Sequence, residues 1–248
     1  MRPIPIPAID VRDGRVVRLA QGDYARETRY PGNPFALAMA HADAGARWLH
    51  LVDLDAARLG GYSLTSLLRA IAQDGRLRVQ TGGGVRNEDA VEAMLSQGAA
   101  RVVVGSLAVR QPDRVATWLQ RHGAERIVLA LDARRDAAGT WRLPVHGWTE
   151  TGDATLQALL AYYVEAGARH VLCTDIERDG MLAGPSTGLY RQLTARWPGL
   201  ALQASGGVRD AADVTAAGAA GCTAVILGRA LLEGRLALRD VLGEAAPC

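Results

Sequence analysis

The sequence predicts an α/β fold, a (β/α)8 TIM barrel in which eight parallel strands alternate with helices. The chain has 248 residues, close to the roughly 250 that such a barrel uses. Short, nearly all-apolar segments alternate with helical segments of about 10–15 residues, which is typical of parallel strands buried on both faces. A repeat at half the chain length is the third observation, and it predicts a barrel made of two duplicated half-barrels.

The repeat is carried by strands that end in glycine. Residues 79–86 read VQTGGGVR and residues 202–209 read LQASGGVR, and each is followed by a second glycine-ended strand. Gly83 and Gly206 are 123 residues apart, as are Gly105 and Gly228. We therefore predict one domain over residues 1–248, with half-barrels of about 1–122 and 123–248.

The eight strands are recognised as apolar runs, several of them ending in glycine or aspartate. They are predicted at 4–10, 48–54, 79–83, 101–105, 126–132, 170–175, 200–204 and 222–227. Two prolines interrupt the first run, which suits the start of a strand better than its centre. Residues 14–19 form a further extended segment, predicted as a hairpin in the loop after the first strand.

The helices are recognised by their end signals. Asn33 and Pro34 are an N-cap and a first helical residue, and Gly45 ends that helix. The helices are predicted at 34–44, 64–72, 88–96, 112–121, 155–165, 187–196 and 210–217, with a last one at the end of the chain. Between the fifth strand and the fifth helix lies a loop with extended segments that carries Trp141 and Trp148.

Composition favours a cytoplasmic protein that does not span a membrane. Hydrophobic residues make up 49% of the chain, yet no apolar run approaches the ~18 residues of a membrane span. The net charge of +2 comes from dispersed arginines, which gives little support for nucleic-acid binding. The three cysteines are scattered and the five histidines lack ligand spacing, so neither disulfides nor a metal site is expected.

The chain contains no lysine, since all 28 basic residues are arginine. This excludes an enzyme-bound Schiff base, anchoring of pyridoxal phosphate and the phosphate-binding P-loop. Any imine must use an amine of the substrate. We expect no cofactor.

The glycines predict two phosphate sites. Glycine after a strand allows positive φ and leaves no Cβ in the way of a ligand, and free N–H groups there bind anions. A single pair of glycines would more often be a tight turn, but two copies in register favour two sites for one ligand with two phosphates. We call them the first cradle (Gly83, Gly84, Gly105, Ser106) and the second cradle (Gly206, Gly207, Gly228, Arg229).

Carboxylates end four of the predicted strands, again in pairs. Asp10 and Asp132 are 122 residues apart, and so are Asp53 and Asp175. Asp10 and Asp132 follow strands 1 and 5, which face each other across a barrel, so they can serve as base and acid. Asp53 and Asp175 are either catalytic or structural, with their carboxylates bonded to loop N–H groups, and the structural role is favoured. Asp175 is also included in the predicted substrate-binding set. Thr174 is expected at the same rim.

Other side chains complete the predicted site. His50 is either a hydrogen-bonded core residue or a substrate contact, and Trp148 is placed to stack on a planar ring. Arg18 and Arg229 are candidates for phosphate contacts. Arg86 and Arg209 are phosphate ligands or structural ion-pair partners. Two loop glycines, Gly22 and Gly180, belong to the predicted substrate-binding set.

Several segments together resemble the phosphoribosylformimino-aminoimidazole carboxamide ribotide isomerases of histidine biosynthesis. They are residues 8–24 (AIDVRDGRVVRLAQGDY), 49–55 (LHLVDLD), 174–180 (TDIERDG) and the two cradles. The resemblance covers essentially the whole chain. It implies a barrel of two duplicated halves that binds a substrate with a phosphate at each end. We expect the protein to be a monomer.

The resemblance also implies a reaction, an Amadori rearrangement of an aldose to a ketose without a cofactor. By motif, Asp10 is the base that removes the C2 proton. Asp132 is the acid that protonates the furanose ring oxygen and opens the ring to an imine. Thr174 assists, and Trp148 stacks on the aminoimidazole.

Three alternatives stay open. A bifunctional isomerase would also accept phosphoribosyl anthranilate. The cyclase subunit of imidazole glycerol phosphate synthase shares the cradles and both aspartates, but it has a lysine where this chain has Arg18. A barrel that only binds sugar phosphates is the third. Two positions depart from the isomerase pattern, Met181 where threonine is frequent and Ala57 where glycine is common.

Overall fold

A closed barrel of eight parallel strands forms the centre of the molecule, as predicted. The computed structural model describes residues 2–145 and 150–242. Each barrel strand pairs with the next one along the chain, and the last barrel strand pairs with the first. The strands are β1 (Ile4–Arg12), β4 (Trp48–Asp53), β5 (Arg78–Gly82), β6 (Arg101–Val104), β7 (Ile127–Arg135), β10 (His170–Asp175), β11 (Ala201–Ser205) and β12 (Ala224–Leu227).

Four further strands extend the barrel at its carboxyl end. The hairpin β2 (Arg15–Ala20) and β3 (Asp23–Arg29) continues antiparallel from β1. A second hairpin, β8 (Trp141–Val145) and β9 (Glu150–Thr155), continues from β7. The first of these hairpins was expected, although β3 was not, because its charged sequence has no apolar alternation.

Helices follow the barrel strands and cover the outside. The longer ones are α1 (Pro34–Asp43), α3 (Thr65–Asp74), α4 (Glu88–Ser96), α6 (Pro112–His122), α7 (Leu156–Glu165), α8 (Thr187–Arg196) and α9 (Ala211–Ala219). The shorter ones are α2 (Leu54–Leu59), α5 (Ser106–Arg110), α10 (Arg229–Leu232) and a 3-10 turn (Leu238–Asp240). In the described part of the chain, α10 and this turn stand where a last helix was expected. Within the described residues, no helix is long and apolar enough to cross a membrane.

Local sequence signals account for two of these elements. Asn33 caps α1 by accepting from the N–H groups of Phe35 and Ala36. The prolines of β1 are tolerated in the middle of the sheet because of their register. The N–H groups along a strand point alternately to its two neighbours, and the N–H of Ile4 donates to the carbonyl of Thr223 beside β12. The nitrogens of Pro5 and Pro7, which carry no hydrogen, therefore face β4, and β4 pairs with β1 only from Ala8 onward.

The apolar core has two parts, separated by the sheet. The larger lies between the strands and the helices, and the smaller fills the inside of the barrel with residues such as Ile6, Val128 and Ile226. Trp48 belongs to this inner cluster, and its ring lies 4.4 and 4.2 Å from the guanidinium carbons of Arg78 and Arg101. The filled interior leaves the carboxyl ends of the strands as the open end, where barrel enzymes place their active sites.

Candidate active site

A cavity of about 1330 Å³ occupies the carboxyl end of the barrel and collects most of the predicted site. Asp175 does not line it, and Trp148 lies outside the described residues. The predicted residues that line the cavity are Asp10, Arg18, Gly22, His50, Asp132, Thr174 and Gly180, together with all eight residues of the two cradles.

Asp10 is held by the hairpin that follows its strand. β2 folds back along β1, which brings Nη1 of Arg18 to 2.6 Å from Oδ2 of Asp10. Burial alone would lower the pKa of Arg18, but the carboxylates of Asp10 and Asp179 outweigh it and the pKa is raised. The guanidinium is therefore a fixed positive charge against the Asp10 carboxylate.

Asp132 lies across the cavity from Asp10. Its strand, β7, is four strands from β1 in either direction around the barrel. Thr174 on β10 is the direct neighbour of Asp132 in the parallel register and is 5% exposed. The predicted arrangement, two opposed carboxylates with the threonine beside the second, is thus present in the cavity.

Two further carboxylates line the cavity that were not predicted as site residues, Asp23 and Asp179. Asp179 lies close enough to Arg18, Asp10 and Asp132 to interact with their charges. Burial, together with Asp10 and Asp132, raises its pKa to about 6, against the opposing effect of Arg18. The loop after β10 turns it inward, since the N–H groups of Arg178 and Asp179 both donate to the carbonyl of Asp175. The sequence signal was weak, because one aspartate in a polar loop has no partner in the 122-residue spacing.

The paired glycines of each cradle satisfy a steric requirement. Gly83, Gly84, Gly206 and Gly207 all have positive φ, between +69° and +114°. A Cβ at Gly84 would overlap the carbonyl of Ala56, and one at Gly207 would overlap a carbonyl in the equivalent loop. Only glycine fits this conformation and this close approach of two chain segments.

The other half of each cradle precedes a short helix. Gly105 precedes α5 and Gly228 precedes α10, with similar backbone angles (φ −97°, ψ −105° and φ −111°, ψ −100°). The first N–H groups of a helix have no partner within it. Both cradles therefore present backbone donors, the groups expected to hold a phosphate.

Arg18 makes the two cradles different. A Cβ added at Gly228 would overlap the guanidinium of Arg18. A Cβ added at Gly105 would have free space around it, since its nearest atom would be the carbonyl oxygen of Ala130, 3.9 Å away. The second cradle is therefore covered by a guanidinium that also bonds to Asp10. Arg229, in the same cradle, donates to the carbonyl of Gly180 at 2.6 Å.

The remaining candidate carboxylates have structural partners. Asp53 caps α2 through the N–H of Ala56 and accepts from both the N–H and the hydroxyl of Ser63. Asp175 accepts from the N–H of Glu177 at 3.2 Å, and Arg178 lies 3.3 Å from it. These contacts favour the structural role for both.

The arginines after the paired glycines also bond to protein groups. Arg209 is paired with Asp213 at 2.8 Å. Arg86 donates to the carbonyl of Arg58 at 3.2 Å. Arg86 lines the cavity nonetheless, whereas the ion pair of Arg209 favours the structural reading.

One cluster of acidic and histidine side chains lies away from the cavity, on α4 and α6. Glu88, Glu92 and His122 place ligand atoms within 4.8 Å of one another. Arg121 bonds to Glu88 at 2.6 Å, and Nε2 of His122 lies 3.3 Å from the same carboxylate. The ion pair with Arg121 occupies one oxygen of the Glu88 carboxylate.

Comparison with known proteins identifies the family. The family model described as "Histidine biosynthesis protein" matches residues 5–237. A protein of Stenotrophomonas maltophilia is 62% identical over 239 residues, covering 96% of this chain and 98% of the relative. Relatives from Xanthomonas campestris and Xylella fastidiosa are 61% and 58% identical over 236 and 253 residues, covering 95% and 99% of this chain and 97% and 94% of their own.

All three relatives carry the same name, 1-(5-phosphoribosyl)-5-((5-phosphoribosylamino)methylideneamino)imidazole-4-carboxamide isomerase. The match is nearly full length in both directions, and the family model covers most of the barrel. The chain therefore belongs to the histidine biosynthesis protein family.

Proposed function

We propose that this chain is an aldose–ketose isomerase that converts the bis-phosphoribosyl imidazole carboxamide of its relatives' name into its phosphoribulosyl form. One observation carries the proposal. A single cavity holds two opposed carboxylates, Asp10 and Asp132, between two glycine cradles. A substrate with a phosphate at each end fits that arrangement.

Binding is assigned to the two cradles. Each phosphate accepts hydrogen bonds from backbone N–H groups, at the first cradle through Gly105 and Ser106 and at the second through Gly228 and Arg229. The positive charge of Arg18 over Gly228 adds a charge-assisted contact at the second cradle. The substrate then lies across the mouth of the barrel, with its reacting sugar near the carboxylates.

Ring opening is the first chemical step. Asp132 donates a proton to the furanose ring oxygen, and the substrate's own amine nitrogen supplies the electron pair that forms the C1 imine as the C1–O bond breaks. Thr174, the neighbour of Asp132 across β7 and β10, orients this carboxyl group. No enzyme amine takes part, which agrees with a chain without lysine.

Proton transfer from carbon is the second step. Asp10 removes the C2 proton, the electron pair of that C–H bond forms a C1–C2 double bond, and the π pair of the C1–N double bond returns to nitrogen, which gives an enolamine. Loss of the C2 hydroxyl proton and protonation at C1 then give the aminoketose. Arg18 holds the Asp10 carboxylate in a fixed position through its 2.6 Å bond.

Asp179 is a second candidate for the proton donor. Its pKa of about 6 leaves roughly a tenth of the group protonated at pH 7, and a general acid works best when its pKa lies near the operating pH. The two assignments differ in the pH profile of kcat. If Asp179 is the acid, Asp179→Asn removes the basic limb of that profile, whereas the limb is retained if Asp132 supplies the proton.

The activity is tested by assaying isomerisation of the aminoimidazole carboxamide aldose in chelator, for the native protein, Asp10→Asn and Asp132→Asn. We expect native turnover and a loss of about 10³-fold in each variant, with binding of the aminoketose product retained in calorimetry. Native protein that binds the product but does not turn the aldose over would contradict the proposal and leave a sugar-phosphate-binding barrel.

The same assay separates the enzymatic alternatives. Turnover of the ketose with ammonia, in place of the aldose, would indicate the cyclase. The isomerase is favoured over it by Arg18 and by the names of the relatives. Phosphoribosyl anthranilate as a second substrate tests the bifunctional reading. We propose further that the enzyme acts as a monomer in the cytoplasm.

A further inference from the structure

Two buried glutamines meet inside the barrel below the cavity. Gln80 on β5 and Gln203 on β11 are equivalent positions of the 123-residue repeat, on strands four apart in the barrel. Nε2 of Gln80 donates to Oε1 of Gln203 at 2.8 Å, and Nε2 of Gln203 donates back to Oε1 of Gln80 at 3.2 Å. Both are 1% exposed or less. The pair therefore crosses the barrel axis, out of contact with solvent.

The pair is not symmetric, because Gln80 has one more partner. Its Nε2 lies 3.0 Å from Nδ1 of His50 on the neighbouring strand. In this orientation of the Gln80 amide, whose nitrogen donates and does not accept, Nδ1 of His50 is the acceptor and carries no proton. The two N–H bonds of Gln80 are then both used, one on Gln203 and one on His50.

The charge state of His50 follows from its surroundings. Burial, and secondarily the positive charge of Arg18, lower the pKa of His50 to about 3, so the ring is neutral at physiological pH. A neutral imidazole with Nδ1 unprotonated carries its proton on Nε2. The ring lines the cavity, whereas the two glutamines lie beneath it.

We propose that Gln80 is a positioning residue that fixes His50 in the Nε2–H tautomer, so that the ring offers the substrate a hydrogen-bond donor. The group recognised is an oxygen acceptor, a hydroxyl or carbonyl oxygen of the sugar. The tautomer is independent of the isomerase activity, and only the kinetic consequence rests on the proposed function.

The repeat supplies a matched control. Gln203→Met breaks the same amide pair as Gln80→Met and has the same buried environment, but it leaves the contact between Gln80 and His50 available. A purely structural role for the pair predicts equal effects of the two variants. A positioning role predicts that the His50 tautomer responds to Gln80→Met alone.

The tautomer is measured on the ligand-free protein at pH 7 by long-range ¹H–¹⁵N correlation of ¹⁵N-histidine, with His50 assigned from His50→Asn. We expect Nδ1 unprotonated and Nε2 protonated in the native protein and predominantly in Gln203→Met, and a mixture of the two tautomers in Gln80→Met. A native Nδ1–H tautomer, or an unchanged tautomer in Gln80→Met, would overturn the proposal even if the enzyme is active.

Kinetics supply the second readout. Gln80→Met should lower kcat/KM about tenfold when it is made in the native protein. When it is made in His50→Asn it should lower kcat/KM less than about twofold, because Gln80 acts through the His50 ring. Urea unfolding of Gln80→Met and Gln203→Met separates stability from function. Equal losses of kcat/KM with and without His50 would show that Gln80 acts on the site by another route. An inactive native protein with the expected tautomer would refute only the proposed function.

Discussion

The two cradles share a backbone plan but differ in what surrounds it. Gly105 and Gly228 have nearly the same backbone angles, yet only Gly228 lies under a guanidinium, that of Arg18. Arg18 comes from the hairpin after β1 and also bonds to Asp10. A duplicated backbone therefore provides two glycine cradles of the same plan, and a single unduplicated side chain links one of them to Asp10, the proposed base.

The paired glycines differ in a second way. A Cβ at Gly83 would overlap the carbonyl of Asp53, whereas one at Gly206 would lie 3.2 Å from the carbonyl of Asp175. At this position the loop between β5 and α4 is thus packed more tightly on its neighbour than the equivalent loop after β11, whereas a Cβ at Gly84 or at Gly207 would overlap a carbonyl oxygen to the same extent in both cradles. The first cradle is therefore the more tightly packed at its first glycine, and the second has the additional guanidinium of Arg18.

The largest expected effect tests the difference in packing. Gly83→Ala should reduce the free energy of unfolding by about 4 kcal/mol, because it adds a backbone clash to the strain of positive φ. Gly206→Ala should cost about 1–2 kcal/mol, mostly from its φ of +89°. Urea unfolding measures both, with Gly105→Ala as the control that has ordinary φ and open space. Equal losses at Gly83 and Gly206 would remove this distinction between the cradles.

The second prediction tests the difference in charge. Arg18→Met should lower kcat/KM about 100-fold, because Asp10 loses its 2.6 Å partner and the second cradle loses a charge-assisted contact. Arg86→Met, beside the first cradle, should lower it less than about fivefold, because Arg86 bonds to a loop carbonyl. Steady-state kinetics on the aldose decide it. Similar losses in the two variants would mean that Arg18 has no special link to the chemistry.

The third and smallest effect concerns pH and compares two aspartates of the second half of the chain. Asp179 has a folded pKa of about 6, above its ordinary value of 3.8, so it destabilises the native protein as pH rises through 6. Asp179→Asn should therefore be more stable than the native protein by about 1 kcal/mol at pH 8 and by little at pH 4. Free energies of unfolding across this range measure the difference.

Asp213 is the control of opposite sign. The hydrogen bond from Arg209 lowers its pKa below the ordinary 3.8, so its contribution to stability is present above that value and is lost as pH falls below it. Asp213→Asn should thus be less stable than the native protein at pH 8, with a gap that narrows toward pH 3. If Asp179→Asn were also less stable than the native protein at pH 8, with a difference that narrows as the pH falls, the environment assigned to Asp179 would be wrong.

The fold was predictable from sequence because its signals are local and repeated. Apolar runs, the Asn33 cap and glycine-ended strands place the eight strand–helix units, and the halves are recognised by spacing alone. The short helices α2 and α5 were missed because helices of five or six residues are too short to show periodicity. The charged strand β3 was missed for lack of alternation.

Residues of the candidate site were predictable where they recur at the repeat spacing or lie in a recognised motif, as Arg18 and Thr174 do, and not where only the fold of a loop brings them into the cavity. Asp10, Asp132 and the glycines were found in pairs. Asp179 was overlooked because its inward direction depends on how one loop folds back on Asp175. The position of Arg18 over Gly228 also depends on tertiary packing, since the hairpin brings together residues 210 positions apart in the chain.

The most direct test of the account is a ³¹P NMR spectrum of the bisphosphorylated aminoketose product bound to the native protein, to Gly105→Ala and to Gly228→Ala. We expect two bound resonances, of which Gly105→Ala moves one and Gly228→Ala, by displacing Arg18, moves the other. Both variants moving the same resonance, or one phosphate resonating as in free solution, would contradict the claim that each cradle holds one phosphate.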